Sequence, residues 1–121
     1  MNNSKKYDYE GRLVKFAANC VRFFDLKKES IQIEYYKHQL IRCSGSAALN
    51  YGEAQGAITN KDFIHKVSLV CKELKESRTI FRIFEELDFH GNGSYVQMLE
   101  EVEELIAIAS KMIINKKKMT V

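Results

Sequence analysis

Proline is absent from the 121 residues and glycine occurs only six times. Little in the chain therefore breaks a helix or forces a turn, and runs rich in Leu, Ile, Glu and Lys favour helix over strand. No apolar run approaches the ~20 residues that a membrane-spanning helix needs, and the N-terminal stretch MNNSKKYDYE lacks a hydrophobic segment of the signal-peptide kind. The expectation is a cytoplasmic protein with no membrane partner. Cysteine is also scarce. Cys20, Cys43 and Cys71 make an odd count, and each falls on the apolar stripe of an expected helix. They read as reduced core residues rather than a disulfide, metal ligands or a nucleophile. Charge of one sign is not abundant either: a formal +3 is too mild to argue by itself for a nucleic-acid partner.

Motifs that carry chemistry are missing as well. The chain has no Gly-rich phosphate loop, no His-Glu-x-x-His pair, no Cys-x-x-Cys and no Glu-x-x-His of the di-iron bundles. His38, His65 and His90 lack ligand-like neighbours, and Ser44 and Ser46 sit mid-helix rather than on a strand-turn-helix elbow. The segment from Asp88 to Ser94, DFHGNGS, begins like a calcium loop, but its third place is His90 and its twelfth is Leu99 where a bidentate carboxylate is required. No metal, no cofactor and no enzymatic activity are expected.

What is present is helical periodicity throughout a single domain, residues 1–121, with its core over 9–114. The fold class is all-α, a bundle of four helices. After polar first residues that are expected to fray, a first helix spans Tyr9–Leu26, with Leu13, Phe16, Ala17, Cys20, Val21 and Phe24 on its apolar face. Arg12, Lys15, Asn19 and Arg22 form a basic ridge beside that face, and a solvated surface is its ordinary explanation. Ser30 caps a second helix, Ile31–Gln55, that buries Ile33, Tyr36, Leu40, Cys43, Ala47, Tyr51 and Ala54.

Small residues from Ser44 to Ala48 allow another helix to approach closely, at a propensity cost of up to ~1 kcal/mol for Gly45. Ser46, Asn50 and Glu53 flank the stripe, and with Ala47 they are the candidate helix or subunit interface. Gly56 ends this helix, and Thr59 or Asn60 caps a third, Lys61–Leu87, with Ile64, Val67, Cys71, Leu74, Arg78 and Phe81 in heptad-like spacing. Arg78 is a charge on a seam and is expected to snorkel. Ser94 caps a fourth helix, Tyr95–Ile114, which buries Leu99, Val102, Leu105, Ile106, Ala109 and Ile113. A disordered Lys116-Lys117-Lys118 tail is expected to follow. A hairpin centred near Gly91 sets Arg78 level with Glu103 and Glu104, a candidate structural ion pair, and far from Glu53.

The pattern Ser46-x-x-x-Asn50-x-x-Glu53 on a small-residue helix, followed by Asn60-Lys-Asp-Phe-Ile-His-Lys66 and Lys72-Glu-Leu-Lys-Glu-Ser-Arg78, resembles one known family. It is similar to the four-helix bundle proteins encoded within bacterial 23S rRNA intervening sequences. The resemblance runs from Tyr9 to Ile114 and is most specific between Gln39 and Arg78. It implies an up-down-up-down four-helix bundle that assembles as a homopentamer, and a relationship to the accessory protein of diversity-generating retroelements, whose basic pentamer binds nucleic acid and a reverse transcriptase.

The expected function is thus a non-enzymatic oligomer that binds 23S rRNA or other structured RNA. Its partner is otherwise a ribonucleoprotein, through a reverse transcriptase or a ribosomal component. The candidate nucleic-acid contacts are Arg12, Lys15, Arg22, Lys27, Lys28, Lys37 and Arg42. The alternative is a protein-interaction scaffold without nucleic acid. It gains if Glu34, Glu100 or Glu101 interrupts the basic patch once the chain is folded.

Overall fold

A computed structural model describes residues 8–25 and 27–119. The expected fraying of the first residues and the expected helix end at Leu26 lie outside them. The chain forms four helices: α1 (Tyr9–Arg22), α2 (Ile31–Gln55), α3 (Asn60–Glu86) and α4 (Tyr95–Lys118). Consecutive helices pack against one another and α4 returns to α1, which closes an up-down-up-down four-helix bundle.

Each start has a local cause. The Asp8 carboxylate accepts the Gly11 amide at 2.8 Å, Ser30 Oγ accepts that of Ile33 at 3.3 Å, and Thr59 Oγ1 accepts that of Asp62 at 3.0 Å. Ser94 differs from its expected role. Its amide and hydroxyl both donate to the Asn92 side-chain oxygen, at 3.0 and 2.6 Å, and it makes no cap bond to α4.

The core follows the expected stripes. Leu13, Phe16, Cys20, Leu40, Cys43, Ala47, Val67, Leu74, Phe81, Val102, Leu105 and Ala109 are fully buried or nearly so. Three departures have physical reasons. First, α1 stops at Arg22. There the α3–α4 turn takes over its last carbonyls, with Asn92 N donating to Phe23 O at 2.8 Å and Asn92 Nδ2 to Arg22 O at 3.1 Å. The early stop swings Phe23 inward, where its ring meets Phe24, Phe81, Phe84 and Phe89 at centroid distances of 5.2–6.0 Å. Second, Val21 faces outward and is 52 % exposed rather than buried. Third, α4 continues to Lys118, because Lys116 Nζ lies 4.6 Å from the centre of the Phe63 ring on α3 and gives the last turn something to hold.

All three cysteines are free and buried. Burial pushes the Cys20 thiol up to about 12 and raises that of Cys43, so both stay protonated at neutral pH.

Two glycines separate backbone need from packing. Gly91 has φ +53°, and a Cβ there would run into the Phe23 carbonyl and ring. Gly45 is helical with nothing within 4 Å of the position a Cβ would take. We expect Gly91→Ala to destabilise the fold by at least about 2 kcal/mol and Gly45→Ala to stabilise it by up to about 1 kcal/mol, both read from urea unfolding midpoints.

Candidate nucleic-acid interface

The residues expected to meet phosphate divide into two groups according to what faces them. Arg12 is on the flank of α1 that looks at α4. Its Nη2 donates to Glu101 Oε1 at 2.8 Å and to Glu104 Oε1 at 2.7 Å, and its Nε to Glu101 Oε2 at 3.2 Å. The hydrogen bond to Glu101, foremost, holds the guanidinium pKa above its ordinary value. Arg12 is therefore a clamp between the first and last helices, and Glu101 interrupts the basic ridge. Its replacement is expected to weaken the fold, so at Arg12 the ridge is neither a solvated face nor a free contact for phosphate.

Lys37 Nζ lies 3.9 Å from Glu34 and 5.7 Å from the centre of the Phe24 ring. Glu34 accepts the Glu29 backbone amide at 2.9 Å, and that bond, first, holds its carboxyl below the usual carboxylate range. Arg42 reaches across to α3, 3.4 Å from Glu73 and 3.0 Å from Glu76. Lys15, Arg22, Lys27 and Lys28 are exposed, and none has a carboxylate within 4 Å among the described residues. Arg22 donates only to Asn19 Oδ1, at 3.0 Å. One edge of α1, continued into the following turn, thus keeps four cations available.

The candidate interface on α2 is used inside the chain. Ala47 is fully buried in its own core and cannot meet a second subunit. Ser46 Oγ donates to Glu73 Oε2 at 3.3 Å, Asn50 Nδ2 donates to Ser46 O at 2.9 Å, and Glu53 pairs with Lys66 at 2.5 Å. Ser46 thus lies on the α2–α3 seam, and Asn50 braces it from within α2. Arg78 Nη1 meets Glu103 at 2.8 Å, as the hairpin register places it, while Glu104 goes to Arg12 and Glu53 to Lys66. Arg78 Nε is buried without a partner, and its charged end emerges at the rim.

Sequence reasoning missed Glu73, which is 8 % exposed and is the acid that gathers Arg42 and Ser46. The signal was available: Val70, Glu73, Ser77, Ile80 and Phe84 repeat at 3-4-3-4 spacing on the α2-facing stripe. A second missed feature is the outer face of α1, where Gly11, Val14, Ala18 and Val21 share the same kind of spacing. Val14 and Val21 are more than half exposed there. No group of three or more potential metal ligands occurs among the described residues, and no described helix is long and apolar enough to cross a membrane.

The comparisons agree on kind. A family model described as 23S rRNA-intervening sequence protein matches residues 11–111. A crystal structure of a protein of unknown function from the S23 ribosomal protein family of Bacteroides thetaiotaomicron superposes with a TM-score of 0.76 at 20 % identity. The superposition covers 87 % of this chain and 97 % of that one, and the likeness is one of fold. No curated protein matches.

The Arg42 network has a pH signature. Burial by itself raises the Glu76 carboxyl, but hydrogen bonds from Arg42 and with Glu73 outweigh it and hold Glu76 below its ordinary 4.5. A carboxyl lowered by folding adds stability that is complete above the unfolded value and drains away as pH falls through the folded one. Unfolding midpoints should therefore drop below about pH 4.5, and Arg42→Gln should flatten the part of that drop due to Glu76.

Proposed function

The chain belongs to the 23S rRNA-intervening sequence protein family, and from that premise we propose that it is a non-enzymatic, self-assembling cytoplasmic bundle that binds RNA. The contacts are the cations left unpaired along the outer edge of α1. The observation that carries this reading is the run of Lys15, Arg22, Lys27 and Lys28, exposed and with no carboxylate within 4 Å among the described residues, although Lys28 feels the charge of Glu34 at longer range. Arg12, Lys37 and Arg42, which belonged to the expected patch, have structural acids to hold and are removed from it.

Four cations on one copy make a weak site. An oligomer repeats them, and multivalent phosphate contact raises affinity without reading bases. The uncovered Val14, Ala18 and Val21 face of α1 suits contact with a second copy, and the family resemblance suggests five copies. A second reading, a protein-interaction scaffold without nucleic acid, is favoured by the same ion pairs. Glu101 on Arg12 divides what would have been a continuous basic ridge.

Two measurements test this. Light scattering should give about five chains, and Val14→Asp with Val21→Asp should reduce that number while leaving helicity intact. Binding to structured rRNA fragments should weaken steeply with salt. Replacing Lys15, Arg22, Lys27 and Lys28 by Gln should lower affinity and reduce the log–log salt slope by about 0.7–0.9 per lost phosphate contact. If the fourfold variant matches the parent, or the parent binds no RNA, the scaffold reading replaces this one.

A further inference from the structure

On the side of the bundle away from the α1 edge, an open groove of about 690 Å³ crosses from α2 to the outer face of α3. Tyr35, Tyr36 and Arg42 line it on α2, with Lys72, Lys75 and Thr79 on α3. We propose that this groove binds a short single-stranded stretch of nucleic acid, with a base stacked on Tyr35 and the adjoining phosphates on Lys75 and Lys72. It deepens the RNA-binding reading by naming the form of the RNA, but it uses none of the residues assigned on α1.

The aromatic side of the site is braced. Tyr35 is 57 % exposed. The Tyr36 ring meets it edge-on at 5.1 Å and 82°, and Tyr36 in turn stands at 90° to the fully buried Phe84, 6.5 Å away. A large ring held in place at the surface loses little freedom when a base stacks on it. Such stacking is worth about 1–3 kcal/mol per base and tolerates any sequence.

The cationic side is available. Lys75 has no carboxylate within 4 Å among the described residues, and Lys72 is 3.8 Å from Glu76 at a well-exposed position. Glu76, an acid of the lining, accepts from Arg42 at 3.0 Å and pairs with Lys72. Lys75 is therefore the cation of the lining with no acid to hold among the described residues and is the main phosphate contact, while Lys72 adds to it only beside Glu76. Tyr35 to Arg42 on one wall, and Thr79 to Lys72 on the other, are each seven residues apart. That is about 10 Å of helix, room for a base together with the phosphates beside it.

A duplex hides its base faces and cannot stack on an exposed ring, so the chemistry selects unpaired bases. A free nucleotide carries the same base and phosphate, and a competition experiment separates the two sources.

The test is fluorescence anisotropy with a labelled six-nucleotide single strand, A6, and a duplex of equal length. The parent should bind A6 in preference to the duplex. Tyr35→Ala should weaken A6 binding about 5- to 160-fold, Tyr35→Phe should stay within about twofold because it keeps the stacking face, and Lys75→Gln should lower both affinity and salt slope. Circular dichroism checks that each variant remains helical. Displacement of A6 by AMP that requires Tyr35 identifies a free nucleotide as the source; no displacement identifies the strand. Equal binding by Tyr35→Ala and the parent, or no preference for the single strand, overturns the proposal. If only Lys15→Gln and Arg22→Gln weaken binding, RNA sits on α1 and the groove is not its site.

Discussion

Helix α1 has 14 residues against 25, 27 and 24 in its three neighbours, so a short helix must close a bundle of long ones. It buries fewer apolar side chains than they do, and it is kept in place by fastenings near its two ends. Near its start, the Tyr9 hydroxyl donates to Leu105 O at 2.6 Å, and Arg12 spans Glu101 and Glu104. At its end, Asn92 closes the last carbonyls and Phe23 plugs the aromatic cluster. Gly91 must be small and left-handed for that junction to form. Beyond the start of α1, an open pocket of about 460 Å³ runs along α4 from Tyr9 and Arg12 past Ile108 and Met112.

This constraint decides which charges are left for partners. A basic residue that looks toward another helix meets the acids placed there: Arg12 meets α4, while Arg42 and Arg78 meet Glu73 and Glu103. Charge-assisted pairs of this kind stabilise most when partly buried and well aligned, and their arginines cannot turn to phosphate without leaving the carboxylates unpaired. Lys15, Arg22, Lys27 and Lys28 look outward and have no carboxylate within 4 Å among the described residues. The surfaces that the packing does not use are the α1 edge and the α2–α3 groove, and these are the ones we propose for partners.

The fold was legible in the sequence because period and caps agreed along the chain: the stripes of α2 and α3, Ser30, Thr59 and the Gly91 turn lie where the pattern places them. The hairpin register brought Arg78 to Glu103 for the same reason. Less was legible where tertiary contact overrides local pattern. Val21 fits the stripe by spacing but faces outward, because the core direction of α1 is set by Leu13, Phe16, Cys20 and Phe23. No local signal says that Asn92 will end a helix 70 residues away. The candidate interface was the least legible part: a periodic ridge shows which cations share a face, and the carboxylates opposite them depend on which helix comes alongside.

The central claim is that Arg12 serves the fold while its neighbours on α1 serve the partner. A double-mutant cycle with Arg12→Gln and Glu101→Gln tests it most directly, read by urea unfolding and by affinity for a structured rRNA fragment. The account predicts a stabilising coupling of about 1 kcal/mol in the unfolding cycle and RNA affinity within about twofold of the parent for both single variants. No coupling in unfolding, together with a loss of RNA affinity in Arg12→Gln alone, would contradict it.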